Sequence, residues 1–400
     1  MRAWLSTLLL LAGSAQAADL VVEVQQLHTG SGETIRDARI VVSDGRISRV
    51  GPASEIAAPS DVRTLQAHVA TPGLIDAQTS AGLSGLRNVA AVLDQDERTD
   101  PDQSALRALD AFDPRDPLLR FLLEHGVTLV QTGPGPANPI AGQAGIFRTH
   151  GRSADDMVVR FPSAMIFNLG ETPKATYRED RGSSTRMGTA ALIRMRLAAG
   201  RHHVGSGGLF RDAPAPDLGL EALGAVAEGR LPAIFTARRA DDILTALRLT
   251  REFELDTRIA GATEGYLVRD ALREAGTGVL VGPVMERVSV PESENASYEN
   301  AALLAEAGIP LAIRSGFEAY VPKNRLVLFE AAVAAANGLG PAAALRAITS
   351  GAAEQLGVAE DYGSIEVGKV ADLVLFDGDP FEYATHVTAV IAAGEVVFAR

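Results

Sequence analysis

Cysteine is absent from all 400 residues, which removes disulfides, thiolate metal sites and a cysteine nucleophile together. Basic runs are absent too. With 37 Lys and Arg against 50 Asp and Glu, a formal charge of -13, the chain lacks the clustered cations that a phosphate backbone needs, so no nucleic-acid partner is expected. No G-x-G-x-x-G opens a helix after a strand, which leaves dinucleotide binding without support. After the first dozen residues no uncharged apolar run reaches the roughly 20 residues that span a bilayer, and no stable membrane insertion is expected. Histidine is scarce and scattered: the seven are His28, His68, His125, His150, His202, His203 and His386. The adjacent His202 and His203, read as strand, would face opposite ways, and none of the spacings suits chelation.

What is present is the composition of an ordinary globular protein, 46% hydrophobic and 22% charged, long enough for a large α/β barrel and a smaller appended domain. The opening "MRAWLSTLLLLAGSAQAADL" sets Arg2 before an apolar run to Leu11, then small residues at Ala15 and Ala17. That is the layout of a secretory signal cut after Ala17. A periplasmic or secreted location is expected, and the lack of disulfides suits a Gram-negative periplasm. The sequon Asn295-Ala296-Ser297 would count only in a eukaryotic secretory route.

Residues 18–70 alternate apolar and polar positions in short runs. Between "RIVVS" and "RISRVG", Asp44-Gly45 is a hairpin signal because both positions accept positive φ. Residues 353–400 return to the same pattern in "GSIEVGKVADLVLFDGDP" and "VTAVIAAGEVVFAR". The two ends together predict a small β domain. Between them, 71–352 read as repeated strand and helix units: "PAIFTA", a helix marked by Ile243, Leu244 and Leu247, "TRIAG", "GVLVGP", with "LLRFLLEHGVTLVQTG" and "NAALLAEAGIPLAIRSG" in the same rhythm. Such units over about 280 residues predict an α/β fold, a (β/α)8 barrel rather than an open doubly wound sheet.

Three stretches carry a resemblance: "TPGLIDA" entering the barrel, "ALRAITSGAAEQLGV", and the closing "GSIEVGKVADLVLFDGDP". The chain resembles the amidohydrolase superfamily, in particular its exported imidazolonepropionase-like and dipeptidase-like members. The resemblance implies a TIM barrel with a β-sandwich formed from both chain ends, and hydrolysis of C–N bonds. It also implies a metal site at the barrel mouth: an HxH pair on the first strand, a carboxylated lysine or glutamate midway, single histidines on the fifth and sixth strands, and an aspartate on the eighth. Such ligands hold divalent ions, and the metal acidifies a bound water.

At those positions this sequence has other residues. Gln78 and Ser80 stand at the first pair, Thr236 and Arg238 at the fifth strand, Gly261 at the sixth with Tyr266 at a later histidine, and Gly316 near the eighth-strand aspartate. Only Glu171, in "NLGETPK", is retained. Amides and hydroxyls bind zinc weakly and a guanidinium repels it, so no metal cofactor is expected, with a single divalent zinc at Glu171 as the alternative. An ion pair of Arg238 and Arg239 with Glu171 is expected to replace the metal's charge.

The loops after strands make a barrel's functional face. "LDQDERTDPDQ" is acidic through Asp94, Asp96, Glu97 and Asp100, and "QTGPGPANPIAGQAG" offers Gly133, Gly135, Asn138 and Gln143 to a ligand. Turn formation and a solvated surface are the plain accounts of both, as helix capping is of Asp241 and Asp242. With Glu171, Arg238 and Tyr266, these give a candidate small-molecule site. Three functions follow: a non-catalytic partner or ligand-binding homologue of an active relative, or a homo-oligomer of that kind; a C–N hydrolase with a reduced metal site; and a periplasmic small-molecule binding protein.

Overall fold

The computed structural model describes residues 19–85, 89–178, 183–205, 215–288, 290–316 and 326–400. The signal expected at residues 1–17 lies outside them. The chain starts with strands β1 (Leu20–His28), β2 (Thr34–Ser43), β3 (Arg46–Pro52) and β4 (Arg63–Pro72). The turn between β2 and β3 is the expected Asp44-Gly45 pair, at φ +50° and +72°.

Eight further strands follow among the described residues: β5 (Leu74–Thr79), β6 (Val127–Thr132), β7 (Ile140–Arg148), β8 (Val158–Asn168), β9 (Ala233–Ala237), β10 (Thr257–Gly261), β11 (Gly278–Val281) and β12 (Leu311–Ile313). They hydrogen-bond in chain order. A bridge between Thr79 and Gly316 brings the last strand back to the first, closing the barrel. Seven strands run one way. β7 is antiparallel to both neighbours, because the residues from Gly133 to Pro139 turn the chain straight back instead of leading into a helix.

Strand parity sorts the side chains, since alternate residues face opposite ways. Ile75, Ala77, Leu129, Ala144, Ile166, Ile234, Ala260, Leu280 and Ala312 form the barrel interior, joined by Leu356, Val358 and Tyr362 at its floor. The intervening Leu74, Phe167, Phe235, Ile259, Val281 and Ile313 face the helices. Helix Ala240–Phe253 answers with buried Ile243, Ala246 and Leu247. Each such side chain contributes about 1.5–3 kcal/mol when fully buried.

Strands β13 (Leu373–Phe376), β14 (Val387–Ala392) and β15 (Glu395–Ala399) complete the small domain, in the order β15-β14-β13-β4-β1-β2-β3. One face, with Val22, Ile40, Ala70, Leu373, Leu375 and Ile391, holds its own core. The other presents Val69, Val374, Phe376 and Val390 to the barrel's helical layer. The C-terminal contribution to this domain begins later than residue 353, because Ala353, Leu356 and Tyr362 pack under the barrel. No described helix is long and apolar enough to cross a membrane.

Candidate functional site at the barrel mouth

Continuing the inward parity beyond Ile166, Ile234 and Ala312 places Asn168, Thr236 and Arg314 inside the upper end of the barrel. All three are buried, Arg314 to 1% exposure. A fully enclosed guanidinium is uncommon and requires partners. Arg314 Nη1 donates to Gln78 Oε1 at 2.5 Å, and its Nε donates to the carbonyl of Gly282 at 3.0 Å. Burial first, then the nearby Arg238 charge, lower its pKa to about 10. It is therefore still a cation at neutral pH.

The guanidinium lies among the positions where the resemblance implies metal ligands. A side chain starting at Gly316 would begin 3.3 Å from Arg314 Nη2, and one at Gly261 would begin 3.6 Å from the same atom. Gln78 is its hydrogen-bond partner. Gly261 and Gly316 are held at φ +86° and +74°, where a histidine or aspartate would be strained. The change at these two positions therefore reaches the backbone.

Around this centre the expected residues Arg238 and Glu171 are each engaged by a glutamate that follows β11. Arg238 pairs with Glu286 on the loop after β11, whose other oxygen accepts from Thr263 Oγ1 at 2.7 Å. The expected pair of Arg238 with Glu171 is not formed: Glu286 takes the guanidinium, and Glu171, opening the helix Glu171–Thr176, gives its backbone N–H to Glu292. Asp76, buried completely, accepts from the N–H of Ser315 at 3.0 Å, from the Ser315 hydroxyl, and from the N–H of Gln78 at 3.3 Å. Burial outweighs these bonds and pushes its carboxyl up to about 6. Ser80 is buried at the end of the first barrel strand.

The proposed ligand-binding loops serve as braces. Asn168 Nδ2 donates to the carbonyls of Gly135 and Asn138. Asn138 donates to the carbonyl of Glu97 and accepts from the Tyr177 hydroxyl at 3.1 Å. Gln143 lies in β7 rather than in a loop and donates to the carbonyl of Ser104 at 3.1 Å. The acidic segment is only partly solvated, since Asp96 Oδ1 accepts from the N–H of Ala137 at 3.0 Å. Tyr266 gives its hydroxyl to the carbonyl of Asn295 at 3.2 Å.

Two acids are buried, Glu292 without any expectation from the sequence and Asp242 beyond its expected capping role. Glu292, in the loop after β11, is driven up to about 7 by burial, against the Glu171 N–H and the Arg238 charge. Asp242 is more than a helix cap: it is buried, its carboxyl is raised by desolvation, and it pairs with Arg186 at 3.2 Å. Glu264 caps that helix instead, accepting from the N–H of Ala240 at 2.7 Å.

The donor set does not fit a catalytic divalent ion. Arg314 brings five N–H donors, no acceptor and a permanent positive charge to the middle of the ligand positions. Among the described residues, no three His, Asp or Glu side chains gather in a group that could hold a metal. His202 and His203 sit in the helix Arg186–Gly205, not a strand. Among the described residues, three buried polar atoms at the mouth lack a protein partner: Gln78 Nε2, Asn168 Oδ1 and Thr236 Oγ1. The adjoining cleft, lined by Gly261, Thr263, Gly282, Glu286 and Asn300, has a volume of about 10 Å³, room for about one water.

Arg314 is not among the ligand positions that the resemblance implies, since the eighth-strand position falls at Gly316, two residues further on. Its signal was available. In "LAIRSG" a charge directly follows an apolar strand, and parity with Ala312 turns it inward.

Comparison with known proteins agrees with this architecture. The amidohydrolase family model matches residues 272–397. An amidohydrolase, tasK, from Hapsidospora irregularis is 28% identical over 378 residues, covering 85% of this chain and 38% of that protein. Imidazolonepropionase from Thermoplasma volcanium is 33% identical over 110 residues, 26% of this chain and 27% of that one. The matches thus span well under half of these relatives' lengths. The crystal structure of an amidohydrolase from Thermotoga maritima superposes with a TM-score of 0.90 at 30% identity, covering 96% of this chain and 100% of that one. Sequence and fold together place the chain in the amidohydrolase superfamily.

Proposed function

We propose that this protein is a non-hydrolytic member of its superfamily, acting as a partner or ligand-binding homologue of an active relative. One observation carries the reading: the Arg314 guanidinium stands between Gly261 and Gly316 and is bonded to Gln78. Metal-assisted hydrolysis needs a cation that coordinates and acidifies water. A guanidinium has no open coordination position and keeps its own protons. The test is turnover on panels of dipeptides and cyclic amides, with zinc, manganese or iron supplied in turn. No turnover above the uncatalysed rate is expected, and metal-dependent turnover of any member sinks the proposal.

Gln78 Nε2, Asn168 Oδ1 and Thr236 Oγ1, buried without a partner among the described residues, favour the ligand-binding form of this reading, since buried polar atoms ordinarily have a partner. A thermal-shift screen in which no small polar compound raises the melting temperature would leave the partner form alone. We propose further that the chain is exported and cut after Ala17, on the layout of residues 1–17. Mass spectrometry of the protein from its native host should find Ala18 first, and a retained leader would refute export by this route.

A further inference from the structure

A barrel must join its last strand to its first, and here the join is slender. β12 is three residues long, and among the described residues its segment meets β5 at a single bridge, Thr79 with Gly316. The residues just after β12 supply the rest. The Gly316 N–H donates to the carbonyl of Gln78 at 3.1 Å, Ser315 donates twice to Asp76, and Arg314 donates to the Gln78 side chain. Arg314 also reaches back to Gly282 beyond β11, so one side chain ties three strand ends.

We propose that Arg314 is a resident cation of this barrel: its guanidinium takes the central place that the metal-ligand positions surround, locks the seam between β12 and β5, and frees folding from any need for metal. This rests on the non-hydrolytic reading of the mouth. Burial and then the Arg238 charge weigh against the charged guanidinium, Glu286 and Asp76 offset them only in part, and the side chain still stays a cation at neutral pH. The fork geometry matters as well. A guanidinium gives donors in fixed, divergent directions, which is what Gln78 and Gly282 require and what an ammonium cannot match.

The experiment is a melting-temperature comparison of the full chain and its variants, each in chelator, in zinc, in millimolar guanidinium chloride and in equimolar urea. Chelator and zinc leave the unsubstituted protein unchanged. Arg314→Met lowers the melting temperature by about 4–6 °C, as expected for a buried polar set that loses one member. Arg314→Ala regains part of its loss in guanidinium chloride but not in urea. Should Arg314→Ala not fold, Gln78→Leu and Gln78→Glu replace it: the first lowers the melting temperature and the second, placing a carboxylate against the guanidinium, does not. Arg314→Met melting with the unsubstituted protein, zinc rather than guanidinium rescuing Arg314→Ala, or Gln78→Glu melting as low as Gln78→Leu would each overturn the proposal. Metal-dependent turnover by the unsubstituted protein would instead strike the functional reading and leave these melting results to stand.

Discussion

Arg314 and Gln78 meet across the seam of the barrel, Nη1 to Oε1 at 2.5 Å, one from just past the last strand and the other from the first. Neither residue type can hold a catalytic metal well, and the guanidinium donates to the amide oxygen. The polar mouth is thus organised around a fixed internal charge, with Glu286 and Arg238 as a second pair beside it.

That second pair should be strongly coupled. Glu286→Ala leaves Arg238 without its carboxylate and removes the acid that favours charged Arg314; breaking one side of a buried pair costs about 3–5 kcal/mol. Arg238 is 26% exposed, so the lower end of that range applies. Urea denaturation checks it. The double variant Glu286→Ala with Arg238→Met should lose less than the sum of the two single losses, and strict additivity would show that the two side chains do not interact.

Asp76 and Glu292 set the pH dependence. Their folded-state carboxyls are raised to about 6 and about 7, burial being the main cause in both. The folded chain therefore binds protons more readily than the unfolded one, and stability falls as pH rises through these values. The melting temperature should climb when pH is lowered from about 8 to about 5, within the window set by these shifts. Asp76→Asn flattens the part of the curve near 6, and Glu292→Gln the part near 7. A curve that falls on acidification across that range contradicts the burial of these acids.

Asn168 should act as a loop brace. Its amide holds the carbonyls of Gly135 and Asn138, and Asn168→Ala leaves both without that donor, at about 1–3 kcal/mol. Hydrogen exchange should quicken from Gly133 to Pro139 with little change in the small β domain. Uniform quickening across the chain would mean that Asn168 supports the whole fold and not this loop.

Much of the architecture was legible because it rests on local signals. The Asp44-Gly45 turn, the apolar runs of β9, β10 and β11, and the Ile243 and Leu247 face of a helix each carry their own pattern. The reversed strand β7 was hidden because its glycines and polar Gln143 resemble a loop, while its burial comes from packing between β6 and β8. At the mouth, the substituted positions could be read, but their partners could not. Arg238 finds Glu286 48 residues away and Arg314 finds Gln78 236 residues away, distances over which sequence spacing carries no geometry. Buried Asp242 and Glu292 were obscured for the same reason, since each reads as a surface acid until the chain folds over it.

The most direct test of the central claim is the metal content of the purified full chain, by elemental mass spectrometry after growth with zinc, manganese and iron. An internal guanidinium at the ligand positions predicts no divalent metal above that of a protein with no metal site. One divalent ion per chain, lost in step with a Gln78 or Glu171 substitution, would contradict it.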